Sequence, residues 1–201
     1  MRLIALDGAT RTGYSIWDIR SERVVLEQYG AIQLKVKKQE PKDYIRIQDM
    51  DNFLDLIIKQ SDFIIFEDVF GGLNFNTTKF LIKMQHFLQS YFIRNRIDFA
   101  DPIPVSEWKG AVAQKEKKKR NGVIEPATPA TGIKALFGVS EVDKETSISI
   151  VKGLLNSFED IDDNMSDSIL MAIYYIRFVL KIELEIDFSQ AKQINYGVDK
   201  K

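Results

Sequence analysis

Residues 2–19 read Arg2-Leu3-Ile4-Ala5-Leu6-Asp7-Gly8-Ala9-Thr10-Arg11-Thr12-Gly13-Tyr14-Ser15-Ile16-Trp17-Asp18-Ile19, and they decide the fold. Leu3 to Leu6 is a continuous apolar run, the pattern of a strand buried on both faces, and it stops at Asp7-Gly8. Gly13 punctuates a turn, after which residues 14–19 alternate as a second strand and residues 24–34 form a third, an antiparallel meander. Pro41 opens a segment in which Ile45, Ile47, Met50, Phe53, Leu54 and Ile57 recur at helical spacing, so a crossover helix runs to about Lys59. A second all-apolar run, Phe63-Ile64-Ile65-Phe66, then ends in Glu67-Asp68. Strand, crossover helix and second buried strand make a βαβ unit, which sets the two apolar runs parallel in one sheet.

Beyond Gly71-Gly72 a long helix over residues 77–94 carries Phe80, Leu81, Met84, Phe87, Leu88, Tyr91 and Phe92. Residues 97–105 read as a fifth strand, followed by a short helix around Trp108-Lys109. From 114 to 139 the pattern dissolves into a lysine-rich stretch with Gly122, Pro126 and Pro129, expected to be a mobile basic loop. Helices over 144–158 and from 164 to about 182 close the fold. The expected architecture is mixed α/β: a five-stranded sheet with an antiparallel first-to-third meander, parallel first, fourth and fifth strands, and helices on both faces. One domain spans 1–182, with 115–139 as an inserted loop and 183–201 as a loosely held tail.

Composition narrows the chemistry. The chain has 201 residues, 45% of them hydrophobic, and 28 Lys and Arg against 29 Asp and Glu leave a net charge of −1. That is the make-up of an ordinary globular domain. Cysteine is absent, which removes disulfides, thiolate-bound metals and thiol nucleophiles, and the lone His86 leaves no two-histidine metal motif. Whatever chemistry exists must run on carboxylates, lysines and bound metal. The first residues lack a signal-peptide pattern and no apolar run approaches membrane-helix length, so a cytoplasmic protein with no membrane contact is expected.

Two buried strands that each end in an acid bring Asp7 and Glu67 to one edge of the sheet, where α/β folds bind ligands. Asp167 lies a turn inside the last helix, on the same face as Asp163 and Asn164. The other acids of the 159–163 cluster fit capping and helix-dipole roles. Clustered carboxylates without histidine or cysteine repel one another unless a hard cation neutralises them, which suits Mg²⁺ or Mn²⁺. Two such ions about 4 Å apart activate water on one side of a phosphodiester and stabilise the leaving oxygen on the other. The pattern points to a metal-dependent nuclease.

The order of LDGATRTGYSI, FEDVF and NMSDSILMA resembles the RuvC-type Holliday junction resolvases of the ribonuclease H-like superfamily over most of the chain. The resemblance implies that fold, a homodimer, branched four-way DNA as substrate, and magnesium or manganese, two per site, held by Asp7, Glu67 and Asp167. The family's remaining acid falls on Asn164, so either its amide oxygen or the neighbouring Asp163 takes that place. Phe70 matches an aromatic that works at the opened junction centre. Lys109 in VSEWKGAV and Lys144 in DKETSISIVKGLL match two family lysines. The insertion between them, absent from bacterial relatives, is similar to a compact phage-type member, whose setting would be the host cytoplasm.

The run Lys115, Lys117, Lys118, Lys119 and Arg120 is either a solvated loop or a DNA-phosphate contact. The aromatic stripe on the long helix is first of all core, and Phe80, Met84, Phe87 and Tyr91 are also expected to serve an interface between two copies. Two other functions stay open at this point. One is a junction-binding module that does not cut, suggested by Asn164; the other is an actin-like or sugar-kinase phosphotransferase, suggested by LDGAT and Gly13. The latter would need a nucleotide cofactor and a second domain, for which 201 residues leave no room.

Overall fold

A computed structural model describes residues 1–8, 11–34, 42–69, 75–114, 117–118, 124–125, 127–156 and 160–197. The apolar runs become the centre of one sheet. Strand β1 (Arg2–Asp7) pairs antiparallel with β2 (Arg11–Ile19), which pairs antiparallel with β3 (Val24–Gln33). Helix α1 (Lys42–Ile57) crosses over to β4 (Asp62–Phe66), which lies parallel to β1 with Ile4 opposite Ile64. Helix α2 (Phe75–Asn95) leads to β5 (Asp98–Phe99), parallel to β4, so the five strands run in the order β5-β4-β1-β2-β3.

The fifth strand is shorter than the pattern over 97–105 suggested. Pro102 and Pro104 have no N–H to give a ladder, and pairing beyond Phe99 shrinks to one bridge between Glu67 and Ile103. Helix α3 (Val105–Lys109) follows directly. Described residues within the stretch expected to be an irregular mobile loop form regular elements. It contains the two-residue strands β6 (Lys117–Lys118) and β7 (Ile124–Glu125), paired antiparallel, then helix α4 (Gly132–Phe137) with Ile133 buried.

Helix α5 (Lys144–Leu155) starts at an Asp143 cap that accepts from the Thr146 N–H and ends at Asn156 in the left-handed region. Helix α6 (Asp163–Tyr174) is capped by Asp162, which accepts from the Met165 N–H, and passes into a π-helical turn over Tyr175–Val179. Residues 186–196 are not a loose tail. β8 (Ile186–Asp187) and β9 (Lys192–Gln193) run parallel to β3, extending the sheet, and the carbonyl of Ile194 accepts from the Tyr14 hydroxyl. Gly30 makes that possible, because a Cβ there would lie 1.9 Å from the Ile194 carbonyl oxygen.

Two cores result, one on each face of the sheet. Ile4, Leu6, Ile16, Ile64 and Phe66 pack under α1 and α2; Leu3, Ala5, Trp17 and Ile65 pack under α5 and α6. The alternation along β1 divides its side chains between the two. Phe80, Met84 and Tyr91 of α2 are buried in the first core, so three of the four residues expected to meet a second copy are committed within the subunit. α2 has to cover the sheet together with α1, which takes its aromatic stripe inward. Phe87 is the one that reaches the surface, half-buried. No helix among the described residues is long and apolar enough to cross a membrane.

Candidate active site

The site is assembled by Gly13. Its position opposite Asp7 is inside β2, not in a turn, and a Cβ there would sit 1.9 Å from the carbonyl oxygen of Asn164. Only glycine lets the first turn of α6 lie directly on β2. That contact brings α6 over the end of β1, with Ser15 donating to the Ser168 carbonyl at 3.0 Å to fix the helix one turn further on. Asp7 at the end of β1, Glu67 just past β4 and Asp167 on α6 therefore converge.

Their electrostatics show how tightly they are coupled. Burial, followed by the charges of Glu67 and Asp167, holds the Asp7 carboxyl well above the usual carboxylate range, and its side chain is 7% exposed. Burial also raises Glu67, although the Trp108 indole, donating from Nε1 to Oε1 at 3.0 Å, works in the opposite direction. A side-chain hydrogen bond joins Asp7 and Glu67, and it pushes Asp7 up and Glu67 down. Asp167 is raised by burial, which the nearby Lys109 ammonium opposes without cancelling.

Two lysines face the acids. Lys109 Nζ donates to Asp167 Oδ2 at 3.1 Å and lies 4.8 Å from the centre of the Trp108 ring. Lys144, at the start of α5, is ion-paired with Asp163, and the hydrogen bond and charge of Asp163 raise the lysine. Partial burial pushes Asp163 up, yet its bond to Lys144 leaves it below the ordinary carboxylate range.

The structure brings together Asp7, Glu67, Asp163, Asp167, Lys109 and Lys144. Asn164 is at the same helix end, with its carbonyl toward Gly13. Phe70, Lys115, Lys119 and Arg120 lie outside the described residues, and Lys117 and Lys118 stand on β6. Several supporting residues were not singled out from sequence. Trp108, fully buried, holds Glu67; Glu107 accepts from the Tyr174 hydroxyl at 2.8 Å, tying α3 to α6; Arg11 pairs with the cap Asp162 at 2.6 Å. Trp108 had one legible signal: a buried indole N–H must find an acceptor, and an acid ending a strand offers one.

Among the described residues, no three His, Cys, Asp or Glu side chains enclose an ion as they stand. Lys109 is on Asp167, and a side-chain hydrogen bond joins Asp7 to Glu67. The donor set nonetheless fits a hard divalent cation. Among the described residues Asp167 Oδ1 is buried without a hydrogen-bond partner, and all three inner acids are held above their ordinary range chiefly by burial.

No protein-family model matches the sequence, and no curated protein matches it. Solved structures do match. RuvC of T. thermophilus in complex with a Holliday junction substrate aligns with a TM-score of 0.57 at 14% identity, covering 89% of this chain and 96% of that one. The chain has a RuvC-like fold. A second Thermus thermophilus RuvC structure aligns with a TM-score of 0.52 at 15% identity, over 89% of this chain and 97% of that one. The RuvC-like architecture is the mixed sheet, antiparallel over β1-β2-β3 and parallel over β1, β4 and β5, with helices on both faces.

Proposed function

We propose that this chain is a metal-dependent endonuclease that resolves four-way DNA junctions by paired phosphodiester hydrolysis. The observation that carries the reading is the convergence of Asp7, Glu67 and Asp167 from two parallel strand ends and the facing helix, with Lys109 among them. A RuvC-like fold that covers nearly the whole chain supports it.

Asp7, Glu67 and Asp167 would hold Mg²⁺ or Mn²⁺, with Asp163 as the fourth donor because its carboxylate lies within electrostatic reach of Asp167. Bound divalent ions in such a site, two in the two-metal case, activate water and stabilise the leaving oxygen. Trp108 holds Glu67 by one oxygen and so sets the direction of its carboxylate. Lys109, stacked on Trp108, presents its ammonium to a phosphate oxygen once Asp167 no longer engages it. Lys144, exposed at the rim, takes a second phosphate contact.

Cutting opposed strands symmetrically needs two such sites on a two-fold axis, so the working form is a homodimer. With Phe80, Met84 and Tyr91 in the core, the apolar residues α2 leaves to a second copy include Phe75, Ile82, Phe87 and Ile93. The deciding experiment is cleavage of a synthetic four-way junction beside linear duplex, RNA–DNA hybrid and flap controls in Mg²⁺ and in Mn²⁺. Paired nicks in the junction that vanish in Asp7→Asn are expected. An Asp7→Asn protein that cuts as fast as wild type overturns the reading, and junction binding without any product leaves a non-cutting module.

A further inference from the structure

Helix α5 turns two polar side chains toward α6. Lys144 is ion-paired with Asp163, and Ser147, three residues further on, is fully buried. Asp167 follows Asp163 by four residues on α6. Residues three and four apart share a helix face, so the contact that sets Lys144 against Asp163 sets Ser147 beside Asp167 one turn deeper. Val151 continues that face of α5 and is fully buried in the core that α6 covers.

The Ser147 backbone is satisfied, its N–H donating to the Asp143 carbonyl at 2.9 Å, but its hydroxyl is not. Among the described residues Ser147 Oγ is buried without a hydrogen-bond partner, like Asp167 Oδ1. The other fully buried serines differ. Ser15 Oγ donates to the Ser168 carbonyl at 3.0 Å, Ser166 Oγ to the Asp163 carbonyl at 2.9 Å, and Ser168 Oγ to the Met165 carbonyl at 2.8 Å. A buried hydroxyl left without an acceptor destabilises a fold. The acceptor in reach of Ser147 is the Asp167 carboxylate: burial raises Asp167, and the Lys109 ammonium and then the Ser147 hydroxyl work against that rise. Hydroxyl and carboxylate nevertheless stop short of a well-formed bond, while Lys109 Nζ holds Oδ2 at 3.1 Å.

Resting on the reading of Asp167 as a metal ligand, we propose that Ser147 is a positioning residue, whose hydroxyl donates to Asp167 Oδ1 once Lys109 lets go of Oδ2 and fixes the plane of that carboxylate. Lys109 holds Asp167 only until a phosphate takes its ammonium, so a second donor has to keep the acid aimed. Ser147 is uncharged, and it orients the carboxylate without competing with a cation for its charge. With Oδ1 held from α5, Oδ2, the oxygen that already meets an ammonium, is the one presented to a cation. Trp108 aims Glu67 in the same way, as a neutral buried donor on α3.

The test compares full-length wild type with Ser147→Ala, which deletes the hydroxyl, and Ser147→Thr, which keeps it. Mn²⁺ affinity is read by calorimetric titration, with thermal melting and far-UV circular dichroism as folding controls. Carbon-13 spectra of metal-free, aspartate-labelled protein at one pH give the Asp167 carboxyl resonance, assigned by its loss in Asp167→Asn. Ser147→Ala should melt with wild type yet bind Mn²⁺ about 10- to 100-fold more weakly, and Ser147→Thr should recover the affinity. The Asp167 resonance should move in Ser147→Ala and return in Ser147→Thr. Unchanged Mn²⁺ affinity in Ser147→Ala overturns the proposal, whether or not the resonance moves, and so does a folded Ser147→Thr that binds as weakly as Ser147→Ala. Wild type that binds no Mn²⁺ refutes the metal reading of the site instead; the resonance then decides alone whether Ser147 holds Asp167, a moved signal supporting that hold and an unmoved one overturning it.

Discussion

Trp108 donates its indole N–H to Glu67 Oε1 at 3.0 Å from within the core, so a carboxylate at the end of β4 is aimed by a residue on α3. Trp108→Phe keeps the packing and deletes the donor. Groups that orient a metal ligand typically cost about 10- to 100-fold in metal affinity when removed. Calorimetric titration with Mn²⁺ should show a loss in that range, with far-UV circular dichroism unchanged. An unaltered affinity would mean that the indole only fills space.

Lys109 joins the acids to the substrate side of the site. Lys109→Met removes its bond to Asp167 and leaves the aliphatic stem over Trp108. Loss of one preorganised donor to a developing charge costs about 100- to 1,000-fold in rate. Single-turnover cleavage of a labelled junction should fall by that much, whereas Mn²⁺ affinity should hold or rise because a competing cation has gone. A variant that cuts at the wild-type rate would place Lys109 outside the chemistry.

Asp7, Glu67 and Asp167 all hold protons more tightly in the fold than in the unfolded chain, chiefly through burial. The native state therefore binds more protons, and stability falls as pH rises from the ordinary carboxylate range through the raised values. Metal-free protein should melt at progressively lower temperature over that window. Asp7→Asn should flatten the profile and raise the melting temperature at neutral pH, and Mg²⁺ should do the same for wild type. A metal-free profile that rises through the window would contradict the coupling.

Gly13→Ala sets a methyl group against the Asn164 carbonyl, 1.9 Å from where the Cβ must go. Overpacking of this kind costs about 1–3 kcal/mol. The damage should reach past stability, because α6 must move off β2 and carry Asp167 from Asp7. Differential scanning fluorimetry should show a lower melting temperature, and Mn²⁺ binding should weaken further than Trp108→Phe weakens it. Full metal affinity at reduced stability would show that the helix can shift without disturbing the acids.

Much of this site was legible in residues 2–19 and 63–68, because burial on both faces leaves a continuous apolar signature and the acids mark where it stops. The start of α6 was legible too, since Asp167 sits where a cap no longer needs an acid. Gly13 was misread as a turn residue, since its reason is a helix more than 150 positions away. The fifth strand looked longer than Asp98–Phe99 because apolar pattern carries no notice that Pro102 and Pro104 withhold their N–H groups. The burial of Phe80, Met84 and Tyr91 followed from α1 and α2 sharing one sheet face, which spacing on α2 alone cannot reveal. Backbone pairing drives the ordering of 186–196, and backbone leaves little trace in side-chain pattern.

The pairing of residues 186–196 along β3 also sets an order of events during synthesis. β3 is an inner strand of the finished sheet, yet its partners on the side away from β2 are made more than 150 residues later. While the ribosome is still adding α2 to α6, β3 presents an open row of N–H and C=O groups, a template for strands of other nascent chains. The Tyr14 hydroxyl waits through the same interval for the Ile194 carbonyl. Residues 186–196 thus act as the latch that ends this exposure.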